Sequence, residues 1–430
     1  MPAEFEIQGI GITEIAERHG TPLYVYDGDA LAANFRSLRA RLHPRAEIFF
    51  SLKANPNISV CALLGAQGAR AEISSMTELV TARRAGIAPQ DIIFLGPGKS
   101  RAEIAACLDE GIYAIICESL DELALIDELA RERGITASVA LRVNPSFAVK
   151  GSGLTMGGKP RQFGIDETQL FDRPDLAAQH AHIRLMGVQV YMGTRILSEE
   201  VVAENTGRIF DLAERLSEKL GFPLELVDFG GGFGVAYFDG ESDLDQERLT
   251  ALLNPVIEEF AARHPDTRLI NELGRYLTAP YGTYVSRVRY VKTSMNENFA
   301  VVDGGTNHHM AAVGIGSFVK RNFPIRLLNR TGEAETESWN ITGPLCTPND
   351  TLGKKVQLPP LRTGDLIGVE RSGAYGPTAS PVHFLSHGYP AEVLVIDGRD
   401  HLVGEREFPE DLLRRQRLYP AAAPAAETDN

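Results

Sequence analysis

The sequence predicts a chain of mixed α/β and all-β class, an N-terminal (β/α)8 barrel of the TIM type followed by a C-terminal β-barrel or β-sandwich domain. Three observations carry this expectation. Eight apolar, strand-like runs alternate with helical stretches, the alternation stops near residue 280, and 430 residues exceed one ordinary core. The runs are 47–52, 71–75, 92–95, 113–117, 137–143, 183–190, 224–229 and 268–272, rich in Ile, Val, Phe and Leu. Between them lie stretches such as 119–133, where Leu120, Leu123, Leu125, Ile126 and Leu129 recur at helical spacing. An open, doubly wound sheet would show the same alternation, so it is the count of eight that favours closure. Past residue 280, segments such as TYVSRVRYVKT, NFAVVDGG, DLIGVE and AEVLVIDG are strand-like with no helical pattern between them. The expected division is a barrel over 29–280 and a β-domain from 1–28 with 281–415. The Pro/Ala-rich tail 416–430 is expected to be disordered.

Composition narrows the function classes. A net charge of -14 argues against nucleic acid, which needs a clustered positive surface. No stretch approaches the roughly 20 apolar residues that cross a bilayer, and the acidic N-terminus does not read as a signal peptide. Cys61, Cys107, Cys117 and Cys346 are scattered without CxxC or Cys/His spacing, as expected for free thiols in a reducing cytoplasm and no metal site.

Reactive residues of such a barrel sit where strands end. The first run ends in Ser51-Leu52-Lys53-Ala54-Asn55. A lysine there points into the barrel mouth, where desolvation can lower its pKa enough for Schiff-base chemistry; an arbitrary lysine is a solvated surface residue. The seventh run enters Asp228-Phe229-Gly230-Gly231-Gly232-Phe233-Gly234, whose backbone N–H groups could converge on a phosphate or simply form a tight turn. The eighth ends in Asn271-Glu272-Leu273-Gly274-Arg275-Tyr276, either a ligand-reading carboxylate and guanidinium or a local rim ion pair. In the β-domain, Gly343-Pro344-Leu345-Cys346-Thr347 and Ser372-Gly373-Ala374-Tyr375-Gly376 each frame one reactive side chain, a type that elsewhere serves packing.

Together these residues resemble the fold-type III pyridoxal-phosphate decarboxylases, the group of diaminopimelate, ornithine and arginine decarboxylases, over about residues 24–394. The resemblance implies pyridoxal 5'-phosphate as cofactor and a head-to-tail homodimer with shared sites. It makes Lys53 the Schiff-base lysine, with Glu72 and Glu78 as the acids near it. Gly230, Gly231 and Gly232 would cradle the phosphate, and Glu272, Gly274 and Arg275 match the Glu-Pro-Gly-Arg motif with Leu273 in place of proline. Cys346 would be the proton donor from the other subunit, and Tyr375 would contact the cofactor phosphate. An acid at 272 keeps the ring nitrogen protonated and the ring a strong electron sink, which favours decarboxylation over racemisation.

The departures concern the substrate. Tyr191 stands where ornithine decarboxylases stack a histidine on the ring, and Thr194 where a phosphate-binding serine is expected. Ala311, Ile315 and Thr347 replace the arginine, tyrosine and acid that read a distal charge in diaminopimelate decarboxylases. A buried distal ammonium without an acid would cost on the order of several kcal/mol, so free diaminopimelate and free ornithine are not the expected substrates. The Gly-rich segment 147–164 carries Lys150, Lys159 and Arg161 without an acid. It reads either as a solvated loop or as a lid whose cations meet an anionic substrate tail. With CTPND…GKKVQLPPL, it resembles two branches, one acting on glutamate tethered to an acyl carrier protein and one associated with exosortase gene clusters. Arg275, Thr347, Tyr375, Lys150 and Arg161 are thus the expected substrate contacts. Two alternatives stand beside this reading, a racemase or epimerase on the same scaffold and a catalytically silent cofactor-binding protein. A nicotinamide enzyme is disfavoured because the glycine run follows the seventh strand and not the first.

Overall fold

A computed structural model describes residues 3–148, 154–155, 157–313 and 321–419. After β1 (Leu23–Asp27), eight strands follow in chain order. They are β2 (Ala46–Ser51), β3 (Arg70–Ile73), β4 (Ile92–Phe94), β5 (Ala114–Cys117), β6 (Ala137–Asn144), β7 (Ile183–Gln189), β8 (Leu226–Gly231) and β9 (Arg268–Leu273). They pair in parallel in the order β6-β7-β8-β9-β2-β3-β4-β5, and β5 pairs back to β6, so the sheet closes. The expected eight-stranded barrel is the observed one.

Local signals explain the helices around it. Ser75, Ser100 and Ser119 accept the backbone N–H of Glu78, Glu103 and Glu122, each satisfying a donor at a helix start. Gly111, Gly134 and Gly221 end their helices in the left-handed conformation.

The barrel interior has two tiers. Phe49, Ile93, Ile116, Ala140, Met186, Leu226 and Ile270 form an apolar plug in its body. Because side chains alternate along a strand, the inward positions two residues further on form the next layer. There stand Ser51, Glu118, Arg142, Asp228 and Glu272, and beside them Glu72 and Gln189, all buried. Strand periodicity thus delivers a polar, largely ionisable layer to the C-terminal mouth, the place where the barrel is open to a ligand.

The second sheet has the order β14-β13-β11-β10-β1-β16-β17. Its strands are β10 (Gly282–Ser294), β11 (Glu297–Val302), β12 (Ile325–Leu327), β13 (Glu337–Thr342), β14 (Thr351–Leu358), β15 (Leu366–Val369), β16 (Ala391–Ile396) and β17 (Arg399–Gly404), with β15 joined to β10 and β12. β1 lies between β10 and β16, so the N-terminal segment is part of this sheet. Ile12, Ile15, Leu23, Val25, Val285, Leu366 and Val393 pack as its core. Residues 416–419 are exposed and irregular, and the rest of the expected tail lies outside the described residues. Among the described residues no helix is long and apolar enough to cross a membrane.

Glycine is a steric necessity where β8 meets β9. A Cβ on Gly231 would fall 1.7 Å from the carbonyl oxygen of Glu272. Gly231→Ala should therefore destabilise the chain by at least about 3 kcal/mol, the upper range of overpacking. Gly207→Ala, inside the helix Glu199–Leu220 with Val256 Cγ1 at an ordinary 3.7 Å, should be neutral or stabilise by up to about 1 kcal/mol. Thermal or denaturant unfolding of both variants checks the pair; equal effects would contradict the steric reading.

Candidate active site

β2 runs out at Ser51, and a single 3-10 turn, Leu52–Ala54, presents Lys53 to a cavity of about 450 Å³. Arg142, Phe163, Tyr191, Thr194, Glu272, Arg275 and Tyr375 line the same cavity. Lys53 Nζ donates to Glu72 Oε2 at 2.8 Å and Oε1 at 3.0 Å. Here the structure corrects one expectation. Desolvation does pull the Lys53 ammonium down, but the charges of Glu72, Glu272 and the Tyr375 phenol, with the hydrogen bond to Glu72, outweigh it. The lysine pKa lies above its ordinary value, because burial here comes with paired acids. Burial opposes the Glu72 charge, yet the Lys53 ammonium and its hydrogen bond hold that carboxyl below its usual value. Ser74 links Glu72 to Glu78: its Oγ donates to Glu72 Oε1 at 3.0 Å and its N–H to Glu78 Oε2 at 2.6 Å. Burial, then the Glu72 charge, push the Glu78 carboxyl up to about 7.

Glu272, at the end of β9, is 3% exposed and accepts from Gln189 Nε2 at 3.2 Å. Across the mouth, Arg142 Nη1 donates to Glu118 Oε1 at 2.7 Å and lies 4.7 Å from the Phe163 ring centre. Glu118 also accepts the N–H of Gly96 at 2.9 Å and of Gly164 at 3.1 Å, tying two cavity-lining loops to one carboxylate.

A small side pocket opens from the cavity, lined by Thr194, Gly232, Phe233, Gly274, Arg275, Tyr276 and Tyr375. Gly232 has φ +79°, and a Cβ there would lie 2.1 Å from the Gly193 carbonyl oxygen, so only glycine brings the backbone this close. Gly230 has φ +66°, with Tyr191 Cδ2 3.1 Å from where its Cβ would be. Arg275 donates to the Tyr237 hydroxyl at 3.1 Å and lies 4.5 Å from the Tyr375 ring centre, while its Nε is buried without a partner. Tyr375 reaches in from the β-domain. It adopts φ +54°, its N–H donates to Ala54 O at 2.7 Å, and Asn55 Nδ2 donates to Gly373 O at 3.1 Å. The SGAYG loop is thereby bonded to the turn that carries Lys53.

These residues fit pyridoxal phosphate. An amine faces the cavity for an aldehyde, and a buried carboxylate is available for a ring nitrogen. A glycine-framed pocket with an arginine, one of its donors unused, suits a phosphate.

Other expected residues are not gathered in this cavity. Cys346 is exposed and Thr347 half-buried, on a loop held by Asp350, whose carboxylate accepts the N–H of Leu345 at 2.7 Å and of Thr306 at 2.7 Å. Neither lines the cavity of its own chain. Ala311 sits on the short helix Met310–Val313. Lys159 and Arg161 are exposed and unpaired among the described residues, whereas Lys150 and Ile315 lie outside them. The Gly-rich segment is anchored near its end, since Gly158 N–H donates to Asn144 Oδ1 at 3.0 Å. Its backbone at Leu154–Thr155 pairs antiparallel with Gly193–Thr194. Arg142, Glu118, Phe163, Gln189 and Asp228 escaped the sequence reading. Arg142 and Glu118 were within its reach, because each stands two residues beyond an apolar plug residue at the end of its strand.

Residues 29–279 match the family model described as the pyridoxal-binding domain of pyridoxal-dependent decarboxylases. The chain is 41% identical over 409 residues to the L-glutamyl-[BtrI acyl-carrier protein] decarboxylase of Niallia circulans, covering 94% of this chain and 96% of that protein. It is 30% identical to the diaminopimelate decarboxylase of Aquifex aeolicus, with 94% and 93% covered. The crystal structure of diaminopimelate decarboxylase from M. jannaschii in complex with L-lysine superposes with a TM-score of 0.89 at 27% identity, covering 97% of each chain. That from Helicobacter pylori with L-lysine gives 0.84 at 29%, covering 94% of this chain and 98% of the other. The family and relatives are decarboxylases, which disfavours the racemase. With a matching barrel, a second sheet domain and a site that fits the cofactor, the chain belongs to the fold-type III pyridoxal-phosphate-dependent decarboxylases.

Proposed function

We propose that this decarboxylase acts on an L-amino acid whose side chain is extended by attachment to an acyl carrier protein, with glutamate as the leading candidate. The observation that carries the reading is that the rest of the cavity lining offers no unpaired charge. Beyond the groups assigned to the cofactor, Ser74, Leu95, Gly96, Pro97, Arg142 and Phe163 line it, and Arg142, the charged one among them, is already paired with Glu118. A free distal ammonium or carboxylate would be left without a partner of its own there. The relative from Niallia circulans is named for a carrier-bound glutamyl substrate, which supports the same reading. Lys159 and Arg161, exposed on the segment that follows β6, supply cations for a phosphate-bearing tether, and Lys150 adds a third in the sequence.

In this reading each residue has a physical task. Lys53 Nζ would be the point of covalent attachment, and Glu72 is the carboxylate that orients the amine toward the cavity. Glu272 would meet the ring nitrogen and keep it protonated. The backbone of Gly230, Gly231, Gly232 and Gly274, with Thr194, Arg275 and Tyr375, would hold the phosphate, and Tyr191 would cover the ring. When bound, the cofactor supplies an electron sink for the pair that departing CO2 leaves behind. Cys346 of the partner subunit would return a proton to the substrate carbon; its exposure and its absence from the cavity lining of its own chain support a shared site in a homodimer. The barrel is assigned to 29–280 and the β-domain to 1–28 with 281–415. Four free cysteines are consistent with a cytoplasmic setting.

Holoprotein incubated with L-glutamyl-acyl carrier protein should shift the carrier mass by the loss of one CO2, while free diaminopimelate and ornithine are turned over poorly. A kcat/KM for free diaminopimelate above about 10⁴ M⁻¹s⁻¹ would overturn the substrate assignment. Mixing inactive Lys53→Ala and Cys346→Ala subunits should restore up to about a quarter of wild-type activity, since one site per mixed dimer is then intact. No recovery despite demonstrated subunit exchange would contradict the shared site.

A further inference from the structure

Beneath Glu272 lies a second carboxyl that the chemistry above does not use. Asp228, at the Gln189 register position on β8, is fully buried. Its Oδ1 accepts the N–H of Gly230 at 2.9 Å, and its Oδ2 is buried with no donor from any neighbour. Asp228 and Glu272 stand on neighbouring strands, each two residues beyond a plug residue (Leu226 and Ile270), and Gln189, in register with Asp228, donates to Glu272, so the two carboxyls face each other. Two ionised carboxylates are acceptors only, so no bond can form between them unless one holds a proton.

The surrounding charges favour a proton on one of the two. Lys53 is paired with Glu72 and Arg142 with Glu118, which leaves this pair of acids without a cation of its own. Ionising both would place two like charges in contact, out of water. Glu272 also accepts from the Gln189 amide, which favours the negative charge on that partner. We propose that Asp228 is a positioning residue that stays protonated and donates to Glu272, fixing the orientation of the carboxylate that meets the cofactor's ring nitrogen. Burial, followed by the Glu272 charge, holds the Asp228 carboxyl well above the usual carboxylate range; burial and then the Glu72 charge raise Glu272 as well, and the hydrogen bond from Asp228 opposes that rise. The inference rests on Glu272 as the ring-nitrogen partner, but the proton on Asp228 is a property of the cofactor-free protein as well.

The test compares Asp228→Asn, which keeps one N–H donor for Glu272 and one acceptor oxygen for Gly230, with Asp228→Ala, which keeps neither. In the cofactor-free wild type at neutral pH, infrared difference spectra against Asp228→Asn should contain the carbonyl stretch of a protonated, buried carboxylic acid. Asp228→Asn should retain cofactor affinity and kcat within about three-fold of wild type. Asp228→Ala should lose about ten- to a hundred-fold in both, the effect of deleting a hydrogen bond to a charged group. Absence of the protonated band, or an Asp228→Asn loss of ten-fold or more, would overturn the proposal, whether or not the alanine variant folds. A wild type that shows the band but binds no pyridoxal phosphate would instead overturn the reading of the site on which the role rests.

Discussion

Charge has to be paired inside the barrel mouth, and the rest of the site follows from that constraint. Strand periodicity puts Glu72, Glu118, Arg142, Asp228 and Glu272 into a layer with little water, beside Lys53. A buried charge left alone by removal of its partner costs about 3–5 kcal/mol. The arrangement answers this with two ion pairs, Lys53–Glu72 and Arg142–Glu118, and with one pair of acids facing each other. Each pair also fixes geometry. Glu72 aims the lysine, Glu118 tethers the loops at Gly96 and Gly164, and Gln189 donates to Glu272 at the cavity lining.

The β-domain is coupled to this layer through the backbone. The bonds from Tyr375 to Ala54 and from Asn55 to Gly373 join its SGAYG loop to the lysine turn, and Tyr375 places its ring against Arg275. A positive φ on a tyrosine is uncommon and persists only where the surroundings determine it. The second loop, with Cys346, is shaped by Asp350, whose carboxylate collects backbone N–H groups from Leu345 and Thr306. One β-domain loop thus completes the site of its own chain, while the other stands apart from it.

Much of this was legible before any coordinates. The strands were visible because a barrel strand is apolar on both faces, packed inward on the plug and outward on helices, so runs such as EIFFSL and IRLMGVQV stand out. Lys53, Glu272 and Arg275 were found by reading strand ends. The pairing of β1 between β10 and β16 was not visible, since it joins residues more than 250 positions apart and leaves no local signature. Arg142, Glu118, Gln189 and Asp228 were missed because each is a single polar residue closing an apolar run, and only the closed barrel brings them together. The direction of the Lys53 pKa was misjudged for the same reason. Desolvation can be guessed from a position in sequence, but opposing it depends on Glu72 and Glu272 arriving from strands that the chain reaches 19 and 219 residues later.

The central claim is that Lys53, paired with Glu72 at the end of β2, is where the cofactor is attached. Borohydride reduction of the holoprotein, followed by digestion and peptide mapping, tests it most directly. The account predicts a stable pyridoxyl adduct on the peptide containing Lys53, and none there in Lys53→Ala. An adduct on another lysine, or undiminished labelling of the Lys53→Ala protein, would contradict it.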